Sequence, residues 1–166
     1  MIGFLLDTNI LSEVRRPRPD PRVLSFLEAQ PEKLLFISTV TFAEIRYGIE
    51  RLDDPARRAD LIDWLETALR PLFADRVIDM SEEVILRWRL LLEAGRKRGH
   101  NSGRPDLFIA AAAAVHNLVV VSRDVEHFIA AGVPILDPWR SLYMGKAAEP
   151  IDPGDMEDPG LLHRLS

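Results

Sequence analysis

Residues 2–9 read Ile2-Gly3-Phe4-Leu5-Leu6-Asp7-Thr8-Asn9. A short apolar run closed by Asp-Thr-Asn suits a strand, Ile2 to Leu6, buried on both faces as in a parallel sheet. In open parallel sheets, ligands bind beyond the carboxyl ends of the strands. A carboxylate at that place costs stability unless a cation or a donor pairs with it. The stretch by itself leaves Asp7 two roles: a cap on the following short helix, or a member of a site.

Working outward, residues 8–14 read as a short helix that runs into Arg15-Arg16-Pro17-Arg18-Pro19, a basic loop stiffened by prolines. Pro21 opens a helix to Ala29, and Leu34 to Ser38 is a second strand. In the helix from Val40 to Leu52, Phe42, Ile45, Ile49 and Leu52 form one apolar stripe, and Glu44 lies at its edge. A longer helix runs from Asp54-Pro55 to about Phe73, and Val77-Ile78 is a brief strand. Ser81 caps a helix that continues to Lys97. Residues 96–104 form a second basic loop with two glycines. Pro105 then starts a helix with Asp106 in its first turn and Asn117 as a left-handed stop. Leu118 to Val121 is a buried strand closed by Ser122-Arg123-Asp124. A short helix over 125–130, a turn at Gly132 and a strand over 133–136 lead to Asp137-Pro138-Trp139. Strands alternating with helices predict an α/β fold with a mainly parallel sheet and right-handed crossovers.

The length of 166 residues suits one domain, assigned to residues 1–144. From Gly145 onward the chain carries five acids against Lys146 and Arg164, several prolines and no periodicity. This tail, 145–166, is expected to be disordered or to lie along a partner. A net charge of −5 argues against coating nucleic acid by bulk charge, though not against a local basic rim. The chain has no cysteine, which excludes disulfides and thiolate metal sites and agrees with a cytoplasmic location. No apolar run approaches the ~20 residues of a membrane span, and nothing reads as a signal peptide.

Taken together, the acids converge. Asp7 and Asp124 each follow a parallel strand, Asp106 opens a helix at the same edge, and Glu44 lies a turn or two beyond the second strand. Four acids at one edge repel unless cations neutralise them. Oxygen donors without cysteine or paired histidines point to Mg2+, with Mn2+ as the second choice, rather than Zn2+.

The segments LLDTNILSE, STVTFAEIRYGI, GRPDLFIAAAAAVHNLVVVSRDVEHF and GVPILDPW, in that order, resemble a PIN-domain ribonuclease, the toxin of a type II toxin–antitoxin pair of the VapC and FitB kind. The resemblance implies a three-layer fold, a central, mainly parallel twisted sheet flanked by helices. It carries Asp7, Glu44, Asp106 and Asp124 over as metal-binding and catalytic residues. Thr8, Asn9 and Ser122 match supporting polar positions, and Glu126 is an extra acid without a matched role. Arg15, Arg16, Arg18, Arg104 and Arg123 are candidate RNA contacts. The implied activity is Mg2+-dependent hydrolysis of RNA phosphodiester bonds. The implied partners are an RNA substrate, a second copy in a homodimer, and a cognate antitoxin through which a larger assembly binds DNA.

Two rivals differ in class: a PIN-fold protein that binds its antitoxin but cuts little, and a nuclease acting on single-stranded DNA. A haloacid-dehalogenase-type phosphatase wants an acid two positions after the first Asp, where this chain has Asn9. A receiver domain would need an acceptor Asp after a middle strand and a Lys after a later one, and neither is evident.

Overall fold

The computed structural model describes residues 1–97 and 105–165. Its strands are β1 (Phe4–Leu6), β2 (Leu35–Ser38), β3 (Val77–Ile78), β4 (Val119–Val121), β5 (Ile135–Asp137), β6 (Leu142–Met144) and β7 (Pro150–Ile151). They form one sheet in the order β3-β2-β1-β4-β5-β6-β7. The first five are parallel, and β6 and β7 are antiparallel additions. The order places β1 in the middle, with Phe4 opposite Leu35 on one side and Val119 on the other. Gly3 admits β2 at this closeness, since a Cβ there would stand 2.6 Å from the Leu34 carbonyl oxygen.

The helices are α1 (Thr8–Val14), α2 (Pro21–Ala29), α3 (Thr39–Glu50), α4 (Pro55–Trp64), α5 (Arg70–Leu72), α6 (Glu82–Lys97), α7 (Asp106–His116), α8 (Val125–Ala130) and α9 (Leu161–Arg164). They cover both faces of the sheet, and the alternation of the strands explains why. Phe4, Leu6, Val119, Val121 and Leu136 join a core with Ile10 of α1, Phe26 of α2 and Ile45 of α3. Leu5, Val120 and Ile135 point the other way, into a core with Val84 of α6, the alanines 110–113 of α7 and Phe128 of α8. Burial on both faces is what makes these strands continuous apolar runs. The alanines let α7 lie close on the sheet, and Trp88 stacks on Phe108 at 4.4 Å to join α6 to α7. Asn117 ends α7 at φ 53°, the expected left-handed stop.

The structure departs from the sequence reading in two places. Between α4 and α5 the chain takes a π-helical turn, Leu65–Leu69, instead of continuing one regular helix. Leu65 and Leu69, at the two ends of this turn, are both buried in the core. The second departure is the tail, which packs on this chain's own body. β7 pairs with β6, and Leu161, Leu162 and Leu165 are buried in the first core. Gln30 at the end of α2 donates to the carbonyls of Met156 (3.2 Å) and Asp158 (3.1 Å). The hydroxyl of Tyr143 donates to the Leu165 carbonyl (3.2 Å) and lies 3.7 Å from the Met1 sulfur. The acids that suggested disorder are turn formers. Asp152, Asp155 and Asp158 each accept a backbone N–H two residues on, from Gly154, Glu157 and Gly160.

Candidate active site at the carboxyl edge of the sheet

Strand order reverses at β1, whose neighbours β2 and β4 lead away in opposite directions. The crevice beyond the carboxyl ends of β1 and β4 is therefore the topological switch point, where α/β sheets bind ligands. Asp7 follows β1 and Ser122-Arg123-Asp124 follows β4, one on each side of it. The backbone fixes both turns: Asp7 N–H donates to the Val121 carbonyl (3.1 Å) and Ser122 N–H to that of Leu136 (3.0 Å).

Asp7 both caps α1 and lines the cleft between these turns. Its Oδ1 accepts the Thr8 N–H at 2.7 Å. Its Oδ2 accepts the Ser122 hydroxyl at 2.6 Å and the Asn9 amide at 3.0 Å. The Asn9 amide also lies 2.8 Å from Ser122 Oγ and 3.1 Å from Asp124 Oδ2. Three acceptors around one amide nitrogen fix its orientation, since the carbonyl end would be repelled there. Asp124 N–H closes the network on Ser122 Oγ at 3.1 Å. Asp7 is only 4% exposed, and burial pushes its carboxyl from an ordinary 3.8 up to about 6. The bonds from Ser122 and Thr8 pull it back down, and the negative charges of Asp106 and Asp124 push it up.

Glu44 comes from α3, whose start is set by Ser38: its hydroxyl caps the Thr41 N–H (3.0 Å) and pairs with the Thr41 hydroxyl (2.9 Å). Asp106 opens α7, and one of its oxygens lies 2.8 Å from His127 Nδ1 on α8. Asp7, Glu44, Asp106 and Asp124 all line one cleft of about 240 Å³, together with Thr8, Asn9, Ser12 and Arg123. Ser122 lies just beneath, fully buried. Among the described residues no three or more of these acids stand close enough together to hold one ion. The donor set nonetheless fits a hard divalent ion: every side-chain acid on the cleft is an oxygen donor. Among the described residues, Thr8 Oγ1 and Asn9 Oδ1 are buried beside it without a hydrogen-bond partner.

The cations divide. Arg123 lies on the cleft lining with its guanidinium over Trp139 at 5.9 Å. Arg15 lines a neighbouring groove of about 350 Å³ that shares Thr8, Ser12 and Glu44 with the cleft, and it stacks over Trp64 at 5.1 Å. Arg16 lines the same groove and pairs with Glu13 at 3.1 Å, while Arg18 is exposed and outside both linings. Arg104 lies outside the described residues. Glu126 is outside the cleft lining, in a third groove with Arg140 and His127 that adjoins the cleft through Arg123 and Asp124.

Sequence reasoning missed His127, and also the pair Asp137–Arg140. Asp137 ends β5 fully buried; it caps Trp139 N–H at 2.9 Å and holds Arg140 Nε at 2.5 Å. A third strand-end Asp with Arg three residues later was the available signal. Leu65 and Leu69 are core, whereas Ile85, Leu86 and Leu90 of α6 are 45–59% exposed. Among the described residues no helix is long and apolar enough to cross a membrane.

The chain is 37% identical to the plasmid stability protein StbB of Pseudomonas syringae over 83% of its own length and 99% of that protein. It is 35% identical to the toxin FitB of Neisseria gonorrhoeae, over 82% and 98% of the two chains, and 34% identical to a VapC ribonuclease of Sinorhizobium fredii, over 82% and 97%. The crystal structure of FitAcB from Neisseria gonorrhoeae superposes with a TM-score of 0.77 at 34% identity, over 82% of this chain and 98% of that one. The PIN domain family model matches residues 4–133, from β1 to just before β5, and the chain belongs to the PIN-domain family.

Proposed function

We propose that this protein is the toxin of a toxin–antitoxin pair, a ribonuclease that hydrolyses RNA phosphodiester bonds with a divalent metal ion, Mg2+ by preference and Mn2+ as the alternative. The observation that carries the reading is the convergence of Asp7, Glu44, Asp106 and Asp124, from four separate segments, on one cleft at the switch point. Relatives over nearly their whole length include a VapC ribonuclease and the toxin FitB.

The four carboxylates would hold the metal, which supplies charge neutralisation at the phosphate and a water of lowered pKa. The chain's own residues prepare that site. The bonds from Ser122 and the Thr8 N–H hold the Asp7 pKa down against its burial, and with Asn9 they fix the carboxylate in place. Asn9 ties the Asp7 turn to the Asp124 turn, so the two acids keep their spacing. Arg123, beside the acids, offers a charge-assisted bond to a non-bridging phosphate oxygen. Arg15 and Arg16 extend the cationic side along the adjoining groove, where they meet the RNA backbone without reading bases.

We also infer a protein partner, since the solved relatives include FitAB bound to a DNA fragment, at 33% identity and a TM-score of 0.76. An antitoxin would silence this chain, bind DNA for the assembly and pair a cation with the cleft acids. The exposed Ile85, Leu86 and Leu90 suit contact with a second copy.

Cleavage of structured RNA, unstructured RNA and single-stranded DNA is the test, for wild type and Asp7→Asn, with Mg2+, Mn2+ or chelator. Metal-dependent RNA cleavage that Asp7→Asn abolishes is the expected result. Cleavage indifferent to chelator or to the substitution refutes the mechanism, and cleavage of DNA alone refutes the substrate.

A further inference from the structure

We propose that His127 is a positioning residue for Asp106, holding one carboxylate oxygen so that the other is presented to the cleft for the metal ion. The proposal rests on the metal-dependent reading of the site.

Asp106 needs such a hold more than Asp7 does. Asp7 is gripped by a backbone N–H, a hydroxyl and an amide. Asp106 stands at the start of α7, after Pro105, whose side chain makes no capping bond. Its side chain is a quarter exposed, and among the described residues His127 is the partner that meets its carboxylate. His127 meets it from α8, with Nδ1 2.8 Å from Asp106 Oδ2. An ionised carboxylate only accepts, so Nδ1 carries the proton in this contact. Engagement of Oδ2 leaves Oδ1 for the cleft, which Asp106 lines and His127 does not. The imidazole instead lines the groove of Glu126 and Ile129, which adjoins the cleft through Arg123 and Asp124.

The position of His127 in the chain adds a second link. It lies three residues after Asp124, and its N–H donates to the Asp124 carbonyl at 3.2 Å. The first turn of α8 therefore places one acid directly and orients another through the imidazole. Outer partners of this kind hold ligand geometry, and their loss typically weakens metal binding about 10–100-fold. A solvated ion pair without that role would contribute little to anything.

The test is Mn2+ binding to the metal-free full chain, followed by the EPR signal of free Mn2+, for wild type, His127→Ala, His127→Asn and Asp106→Ala. The amide nitrogen of Asn reaches the place of Nδ1 and can donate the same bond. We expect His127→Ala to weaken binding about 10-fold and His127→Asn to restore most of it. On the Asp106→Ala background, His127→Ala should have no further effect. Unchanged affinity in His127→Ala overturns the proposal, and so does an Asn variant as weak as Ala, which would make the imidazole itself the ligand. Wild-type chain that binds no Mn2+ removes the metal reading and this proposal with it. Urea unfolding of each variant separates loss of fold from loss of the ion.

Discussion

Ser122 Oγ lies 2.6 Å from Asp7 Oδ2 across 115 positions of sequence, and this bond joins the ends of the two central strands at the base of the cleft. It is the largest of the influences holding down the Asp7 pKa against burial. Ser122→Ala should therefore raise that pKa further. A hydrogen bond to a charged group is worth about 1.5–3 kcal/mol, or roughly one to two pKa units. The acidic limb of the pH–rate profile for RNA cleavage should move upward by about one unit or more. Ser122→Thr, which keeps the hydroxyl, should leave it in place; an unmoved limb in Ser122→Ala would show that the bond does not govern Asp7.

The metal-free chain should lose stability as pH rises from about 4 to about 6. Asp7 titrates at 3.8 when exposed and at about 6 in the fold, so the folded state binds the extra proton across that window. Its contribution is present below the lower value and disappears through the upper one, a change of about 3 kcal/mol at most. Asp7→Asn should flatten that slope, because an amide does not titrate. Urea midpoints measured from pH 3.5 to 7.5 in chelator decide it, and parallel slopes for the two proteins would contradict the assignment. Mg2+ or Mn2+ at pH 7 should recover stability in the wild type only, by about 2.7 kcal/mol at a hundred times the dissociation constant.

Leu161 is fully buried in the tail helix, against the core that includes Phe4 and Phe26. Leu161→Ala should cost about 2–5 kcal/mol in chemical unfolding. A loosely attached tail would show no such loss.

Arg123→Ala should weaken RNA binding evenly across sequences and reduce the slope of log affinity against log salt by about one. Fluorescence anisotropy on two unrelated oligonucleotides over a salt series measures both. A change confined to one oligonucleotide would instead mark Arg123 as a reader of bases.

The parallel half of the sheet was legible because each of its main strands is buried on both faces. Val119, Val120 and Val121 leave no ambiguity of period, and Asp7, Asp106 and Asp124 stand where strand and helix boundaries put them. Helix α3 was legible from the stripe Phe42, Ile45 and Ile49, all buried. The tail was not, because its order comes from Asx turns, from three leucines that enter a core built far back in the chain around Phe26, and from the bonds of Gln30 to Met156 and Asp158. Nor was the Asn9 bridge, which depends on a distance between two turns more than a hundred residues apart. His127 escaped notice for the same reason: its relation to Asp106 is set by how α8 packs on α7, and spacing along the chain carries no trace of it.

The contact of the Tyr143 hydroxyl with both Met1 and Leu165 gives the molecule a pole. Residues 1 and 165 meet at the amino ends of the parallel strands, opposite the carboxyl ends that carry the cleft. By the same geometry, a bead or a fluorescent reporter attached at that pole leaves the acids facing outward, accessible to RNA.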